Sequence, residues 1–227
     1  MSRKRSKRYE TDMVNRPPDP VSVTDAVAAI KSFTSGKFNQ TIELVMHLGI
    51  DPKQAEQALR GSIALAHGIG QTRNVIAFCE EADVEKALEA GATEAGNEEL
   101  IKKIQGGWTD FDVAVSTPSM MKNVSKLGRV LGPTGKMPSP KAGTVSPDVA
   151  ATVKAYVAGK VEYRNDDFGN LHVPVGKMDF DADKLVENVK EFMKYIKKIK
   201  PSSAKGVYMK RVCISGTMTP SVDIAVH

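Results

Sequence analysis

Aromatic residues make up only 6% of the chain, with a single tryptophan, so few ring-stacking platforms are available. There are two cysteines, Cys79 and Cys213, far apart and in apolar surroundings. They read as buried thiols of a reducing compartment, not as a disulfide. The four histidines, His47, His67, His172 and His227, are isolated from one another and from cysteine, which leaves no metal-ligand spacing. Apolar runs are short and broken by charge, so no membrane span is expected. The first residues lack the apolar core of a secretory signal. The most informative absence is local: no Asp or Glu occurs from Val113 to Pro147.

What is present is ordinary in bulk and uneven in distribution. The 227 residues are 41% apolar and 26% charged, which is ordinary for a soluble globular protein of one or two domains. The net charge is +5. Arg3, Lys4, Arg5, Lys7 and Arg8 precede any acid; removing those five from the 32 cations leaves 27 against 27 acids. The body is therefore neutral but patchy. Residues 79–112 hold ten acids and three cations, and residues 113–147 hold five cations and no acid. Such a map suggests a directed contact with a polyanion.

The acid-free stretch contains the segment 126–147, with four glycines and four prolines. That density forbids a long regular element. Lys126, Arg129, Lys136 and Lys141 present positive charge, and a loop of this length is more often functional than a plain connector. A solvated connecting loop is the plain alternative.

Residues 1–20 read as a basic, flexible arm. It either touches nucleic acid phosphates or serves as a solubilising tail. Val23–Phe33 has helical spacing, with Ser22 or Thr24 as cap. Thr41–Met46 alternates as a strand. Asp51-Pro52 predicts a helix to about Leu59, and Ser62–Leu65 a further strand. Ala66, His67 and Gly68 look like a hinge. Then Val75–Phe78 and Phe111–Val115 read as buried strands around helices at Asp83–Ala90 and Leu100–Ile104, the pattern of a parallel sheet covered on both faces. A helix from Pro147 to Val157 ends at Gly159, a second hinge position. From Lys160 the pattern becomes antiparallel. Residues 165–170 form a hairpin turn by composition, Phe180–Lys200 is a long amphipathic helix, and strands at Val207–Ile214 and Val222–Val226 close the chain. The expected fold is a two-lobe protein of α/β and α+β parts. A terminal α+β lobe with an antiparallel sheet comes from residues 21–66 and 160–227, and a Rossmann-like three-layer lobe is inserted at 67–159.

Catalytic motifs fail on inspection. Gly135-Lys136 lacks the upstream glycine and the following Ser/Thr of a phosphate loop. The glycines after His67 precede a strand instead of following one. His172 reads as a strand histidine. No nucleophile, base and orienting group assemble, and no cofactor or metal is implied. A small phosphate- or nucleotide-using enzyme with the central loop as cradle remains the rival from another class.

Several segments together resemble one family. They are Ile104-Gln105-Gly106-Gly107-Trp108, Asp110-Phe111-Asp112, Lys126-Leu127-Gly128-Arg129-Val130-Leu131-Gly132-Pro133, Met137-Pro138 and Pro140-Lys141-Ala142-Gly143-Thr144-Val145. Leu48-Gly49-Ile50-Asp51-Pro52, Gly176-Lys177, Lys200-Pro201, Ala204-Lys205-Gly206 and Thr217-Met218 complete the series. From about residue 21 to the C-terminus the chain is similar to the large-subunit ribosomal protein L-one family, in its bacterial form. The resemblance implies binding to ribosomal RNA of a mobile stalk beside the exit site for deacylated tRNA. It also implies repression of the protein's own messenger through a similar RNA structure, and a monomer when off the ribosome. Carried over by position, the RNA face falls on Lys37, Phe38, Thr41, Glu43, Thr217, Met218 and Pro220. Phe38 and Met218 would offer apolar contact, and Thr41, Glu43 and Thr217 hydrogen bonds to 2′-hydroxyls or base edges. Lys37, Lys210 and Arg211 would neutralise phosphates. The acid-free loop, with Lys126, Arg129, Lys136 and Lys141, would face the departing tRNA. This chain departs from the family pattern at Thr219, commonly glycine, at Thr134 and Gln71, commonly basic, and at Lys136, commonly apolar.

Overall fold

The computed structural model describes residues 5–34 and 36–226; Arg3 and Lys4 of the basic run, and His227, lie outside the described residues. In chain order the elements are α1 (Lys7–Val14), α2 (Val23–Ser32), β1 (Thr41–Leu48), β2 (Arg60–Ala64), β3 (Val75–Phe78), α3 (Glu81–Glu89), β4 (Glu94–Gly96), α4 (Glu98–Gln105) and β5 (Val113–Ser116). There follow α5 (Met121–Val124), α6 (Gly128–Leu131), α7 (Val149–Val157), β6 (Lys160–Arg164), β7 (Asn170–Lys177), α8 (Ala182–Lys198), β8 (Met209–Gly216) and β9 (Val222–Ile224). The chain divides into two compact units, one comprising residues up to Gly70 and from Tyr163 onward, the other Gln71–Glu162.

The first unit is built on an antiparallel sheet of order β7-β1-β8-β9. Alternation along β1 sends Ile42, Leu44, Met46 and Leu48 into the core, where α2 and α8 cover them. The helices contribute Ala26, Val27 and Ile30, and Leu185, Val189, Phe192 and Ile196. The opposite face, with Thr41, Glu43, Val45 and His47, is partly exposed, as antiparallel sheets allow. Buried Asn188 satisfies itself by donating to Gly68 O and Val175 O and accepting from His67 N–H.

The second unit has a parallel sheet of order β4-β3-β5 between two helical layers. Val75, Ala77, Val113 and Val115 face α3 and α7; Ile76, Phe78 and Ala114 face α4, α5 and α6. Strands buried on both faces explain the uncharged runs seen in the sequence.

The structure corrects several expectations. Residues 7–14, read as part of a flexible arm, form α1. The Ser6 hydroxyl caps it by accepting from Tyr9 N–H, and Asp12, only 1% exposed, accepts from Thr34 N–H. A charge count overlooks this because one buried carboxylate and one cap decide it. Residues 51–59 are turns, not a helix: Asp51 accepts from Lys53 N–H and Gln54, and Gln57 binds Asp51 N–H, so side chains take the bonds a helix would make. Ala66 and His67 are fastened to α8 through Glu191 and Glu187, and Gly68 O to Asn188, so the expected hinge residues sit inside the first unit. Gly159 sits inside the second, and the dividing points fall at Gly70/Gln71 and Glu162/Tyr163. The 126–147 segment is no solvated loop: Leu127, Leu131, Ala142 and Thr144 are buried, and Tyr156 Oη donates to Ala142 O at 2.8 Å. Gly143, at φ 70°, makes the left-handed turn that lets the chain double back there.

Candidate nucleic-acid interface

Two segments far apart in sequence meet at one end of the antiparallel sheet: 36–41, leading into β1, and the turn 216–219, leaving β8. Thr217 N–H donates to Thr41 O at 3.1 Å, and the Thr217 hydroxyl accepts from Thr41 N–H at 3.2 Å. Gln40, wholly buried, accepts from Met218 N–H at 2.9 Å through Oε1, while its Nε2 has no partner. Thr219 Oγ1 accepts from Gly216 N–H at 2.8 Å. No described non-glycine residue has positive φ, so the threonine that replaces a common glycine is accommodated without left-handed backbone, and its hydroxyl closes the turn.

On this frame stand two exposed apolar side chains, Phe38 at 51% and Met218 at 53%. Both could have been core residues; neither is. Arg8 of α1 ties the 216–219 turn to the stretch after α2, donating to Thr34 O at 3.2 Å and to Met218 O at 3.0 Å. A Cβ placed on Gly36 would lie 3.4 Å from the Phe38 ring and 3.8 Å from Arg8 Nη1, so ring and guanidinium flank the same short stretch. Lys37 is exposed beside Phe38. Lys177, opposite Thr41 on β7, donates to Thr41 Oγ1 at 2.8 Å and adds a cation. Glu43 lies on the open sheet face between Pro174 and Ser215. The result is a surface of apolar tips, hydroxyls and cations, with the Glu43 carboxylate on the adjoining sheet face.

Other expected contacts are placed elsewhere. Lys210 and Arg211 lie at the far end of β8, since Met209 pairs with Leu48 while Gly216 pairs with Ile42. At about 3.3 Å per residue this puts them roughly 20 Å from Thr217. Arg211 is also engaged by both carboxylate oxygens of Asp223. Pro220 is buried, so it shapes the turn and offers no broad contact. Thr217 spends its hydroxyl on Thr41 backbone. Arg8 and Gln40 escaped the sequence reading, because a helix-borne arginine reaching carbonyl oxygens and a buried amide leave no local pattern. Lys177 left a weak signal as part of Gly176-Lys177.

In the second unit, Lys126, Arg129 and Lys141 are exposed. Lys136 is not equivalent to them: its ammonium donates to Thr109 O and Phe111 O and lies 5.2 Å from the Phe111 ring centre. That occupation leaves it a poor phosphate cradle. Cys79 is buried and Cys213 half-buried; both are free thiols, and burial pushes both upward in pKa. Burial likewise pushes Tyr208 up to about 12. Among the described residues there is no helix long and apolar enough to cross a membrane.

The chain is similar along nearly its whole length to known proteins. The chain is 53% identical over 222 residues to the large ribosomal subunit protein uL1 of Rhodopirellula baltica, covering 98% of this chain and 99% of that protein. It is 47% identical over 223 residues to uL1 of Kosmotoga olearia, covering 97% and 96%. To uL1 of Chlorobium phaeobacteroides it is 48% identical over 202 residues, covering 89% and 88%. Residues 30–220 match the sequence model of one family across both units. The chain belongs to the Ribosomal protein L1p/L10e family.

Proposed function

We propose that this chain is a non-catalytic constituent of the large ribosomal subunit, in the cytoplasm, that grips ribosomal RNA of the mobile stalk with the surface around Phe38, Thr41, Thr217 and Met218. The observation that carries the reading is the exposure of Phe38 and Met218 on a frame pinned by the Thr41–Thr217 and Gln40–Met218 hydrogen bonds. Exposed apolar tips held rigidly beside cations suit ribose and base faces with phosphates alongside. The large-subunit names of the relatives support the assignment. Two finer roles go with it: assisting release of deacylated tRNA through the exposed cations Lys126, Arg129 and Lys141, and repressing translation of its own messenger by the same RNA surface. The rival reading, an enzyme cradling phosphate on the central segment, loses its key cation because Lys136 is spent on carbonyl oxygens.

The test is a binding titration of the purified chain with the cognate large-subunit RNA fragment across a range of salt. Tight binding whose logarithm falls linearly with log salt is expected. Absence of salt-dependent binding overturns the proposal, and a thermal shift with nucleotide but none with RNA would favour the enzyme.

A further inference from the structure

We propose that the cleft between α1 and the 217–219 turn is a subsite for one unstacked nucleotide of the RNA held on the adjoining Phe38–Met218 surface. The inference rests on the RNA-binding reading above and extends it to a segment that lies before the family match begins. The cleft is a shallow, open groove of about 370 Å³, wide enough to seat one flat base. Arg5, Ser6, Arg8 and Tyr9 form one wall and Thr217, Met218 and Thr219 the other. No acid lines it. It is continuous with the proposed RNA surface, because Thr217 and Met218 belong to both.

The two arginines do different work. Arg8 is a positioning residue: its N–H groups hold Met218 O and Thr34 O, which fixes one wall against the other. Arg5 is exposed, with its guanidinium 4.9 Å from the Tyr9 ring centre. An aromatic ring and a guanidinium plane are the surfaces on which single-stranded bases stack, and every base has a face to offer them. Positive charge without a carboxylate in the lining favours the phosphate that accompanies the base. Tyr9 is one of only five tyrosines in the chain, and it sits one helical turn from Arg5, where the helix cap at Ser6 sets its direction.

The experiment uses the full chain and the RNA fragment bound by the wild type. Tyr9→Ala and Arg5→Ala are expected each to weaken binding about fivefold or more, with Tyr9→Phe near wild type, since the ring and not the hydroxyl does the stacking. Direct ultraviolet crosslinking of the complex is expected to attach RNA to the peptide containing Tyr9. If Tyr9→Ala lowers the unfolding temperature, Arg5→Ala decides, because Arg5 is exposed and its guanidinium rests on the Tyr9 ring. Wild-type affinity in both variants, together with no crosslink near Tyr9, overturns the subsite and leaves the Phe38–Met218 surface standing. Failure of the wild type itself to bind overturns the underlying reading.

Discussion

Thr41 and Thr217, 176 residues apart in sequence, share three hydrogen bonds: Thr217 N–H to Thr41 O, Thr41 N–H to Thr217 Oγ1, and Thr217 Oγ1 to Thr41 O. The two halves of the proposed RNA surface are thereby one rigid object. Thr217→Val keeps the shape and removes both hydroxyl bonds. It is expected to weaken RNA binding by about 1–3 kcal/mol and to lower folding stability by about 1 kcal/mol. Thr217→Ser should restore both in titration and chemical denaturation.

Phe38 separates binding from folding. Its ring is half exposed and supports little core. Phe38→Ala is expected to cost about 1–3 kcal/mol of RNA affinity and less than about 0.5 kcal/mol of stability. Unchanged affinity would move the site elsewhere.

The cations differ in what they can give to phosphate. Lys37 is exposed beside Phe38, whereas Arg211 is engaged by Asp223 roughly 20 Å away. Lys37→Ala is expected to lower the slope of log affinity against log salt by about 1. Arg211→Ala should change it less. Equal slopes for both variants would put Arg211 within the contact.

Lys136 should behave as a structural residue. Its ammonium serves two backbone carbonyls. Lys136→Ala is expected to destabilise the protein by about 1–2 kcal/mol, while Lys126→Ala, Arg129→Ala and Lys141→Ala stay within about 0.5 kcal/mol. Neutralising those three together should slow departure of tRNA from ribosomes carrying the variant; an unchanged rate would remove the tRNA role.

Asp166 organises the hairpin between β6 and β7. Partial desolvation pushes its carboxyl up, but hydrogen bonds from the Asn170 side chain and from the Asn170 and Phe168 N–H groups outweigh this and hold it below its ordinary value. A depressed folded pKa contributes stability above the unfolded value, about 3.9, and loses it as pH falls through the lower folded value. Asp166→Ala is expected to cost about 1 kcal/mol near neutral pH, with the gap to wild type closing as the pH falls below the ordinary carboxylate range. A gap constant down to pH 2 would show that charge plays no part.

Periodicity and composition were enough where local physics decides. The apolar stripe of Leu185, Val189, Phe192 and Ile196 predicted α8 within two residues at each end, and the uncharged Val75–Phe78 run marked β3 as a strand buried on both faces. The α/β character and the ordered series of family segments were legible for the same reason: they depend on neighbours in sequence. The misses come from side-chain hydrogen bonds, one set local and one reaching 22 residues along the chain. At 51–59 side-chain hydrogen bonds displaced a helix that capping rules favour, and at 7–14 a single buried aspartate docked a segment whose charge suggested an arm.

What the sequence by itself determined is the kind of protein: two interleaved patterns, an uneven charge map, and the residues Phe38 and Met218 as candidates. It could not say whether those side chains face water or the core, because a half-exposed phenylalanine and a buried one read alike in one dimension. Nor could it separate Lys136 from Lys141, or Lys210 from Lys37. Only the tertiary structure decided these, since each outcome depends on strand register and on backbone carbonyls brought close by chain segments far apart in sequence.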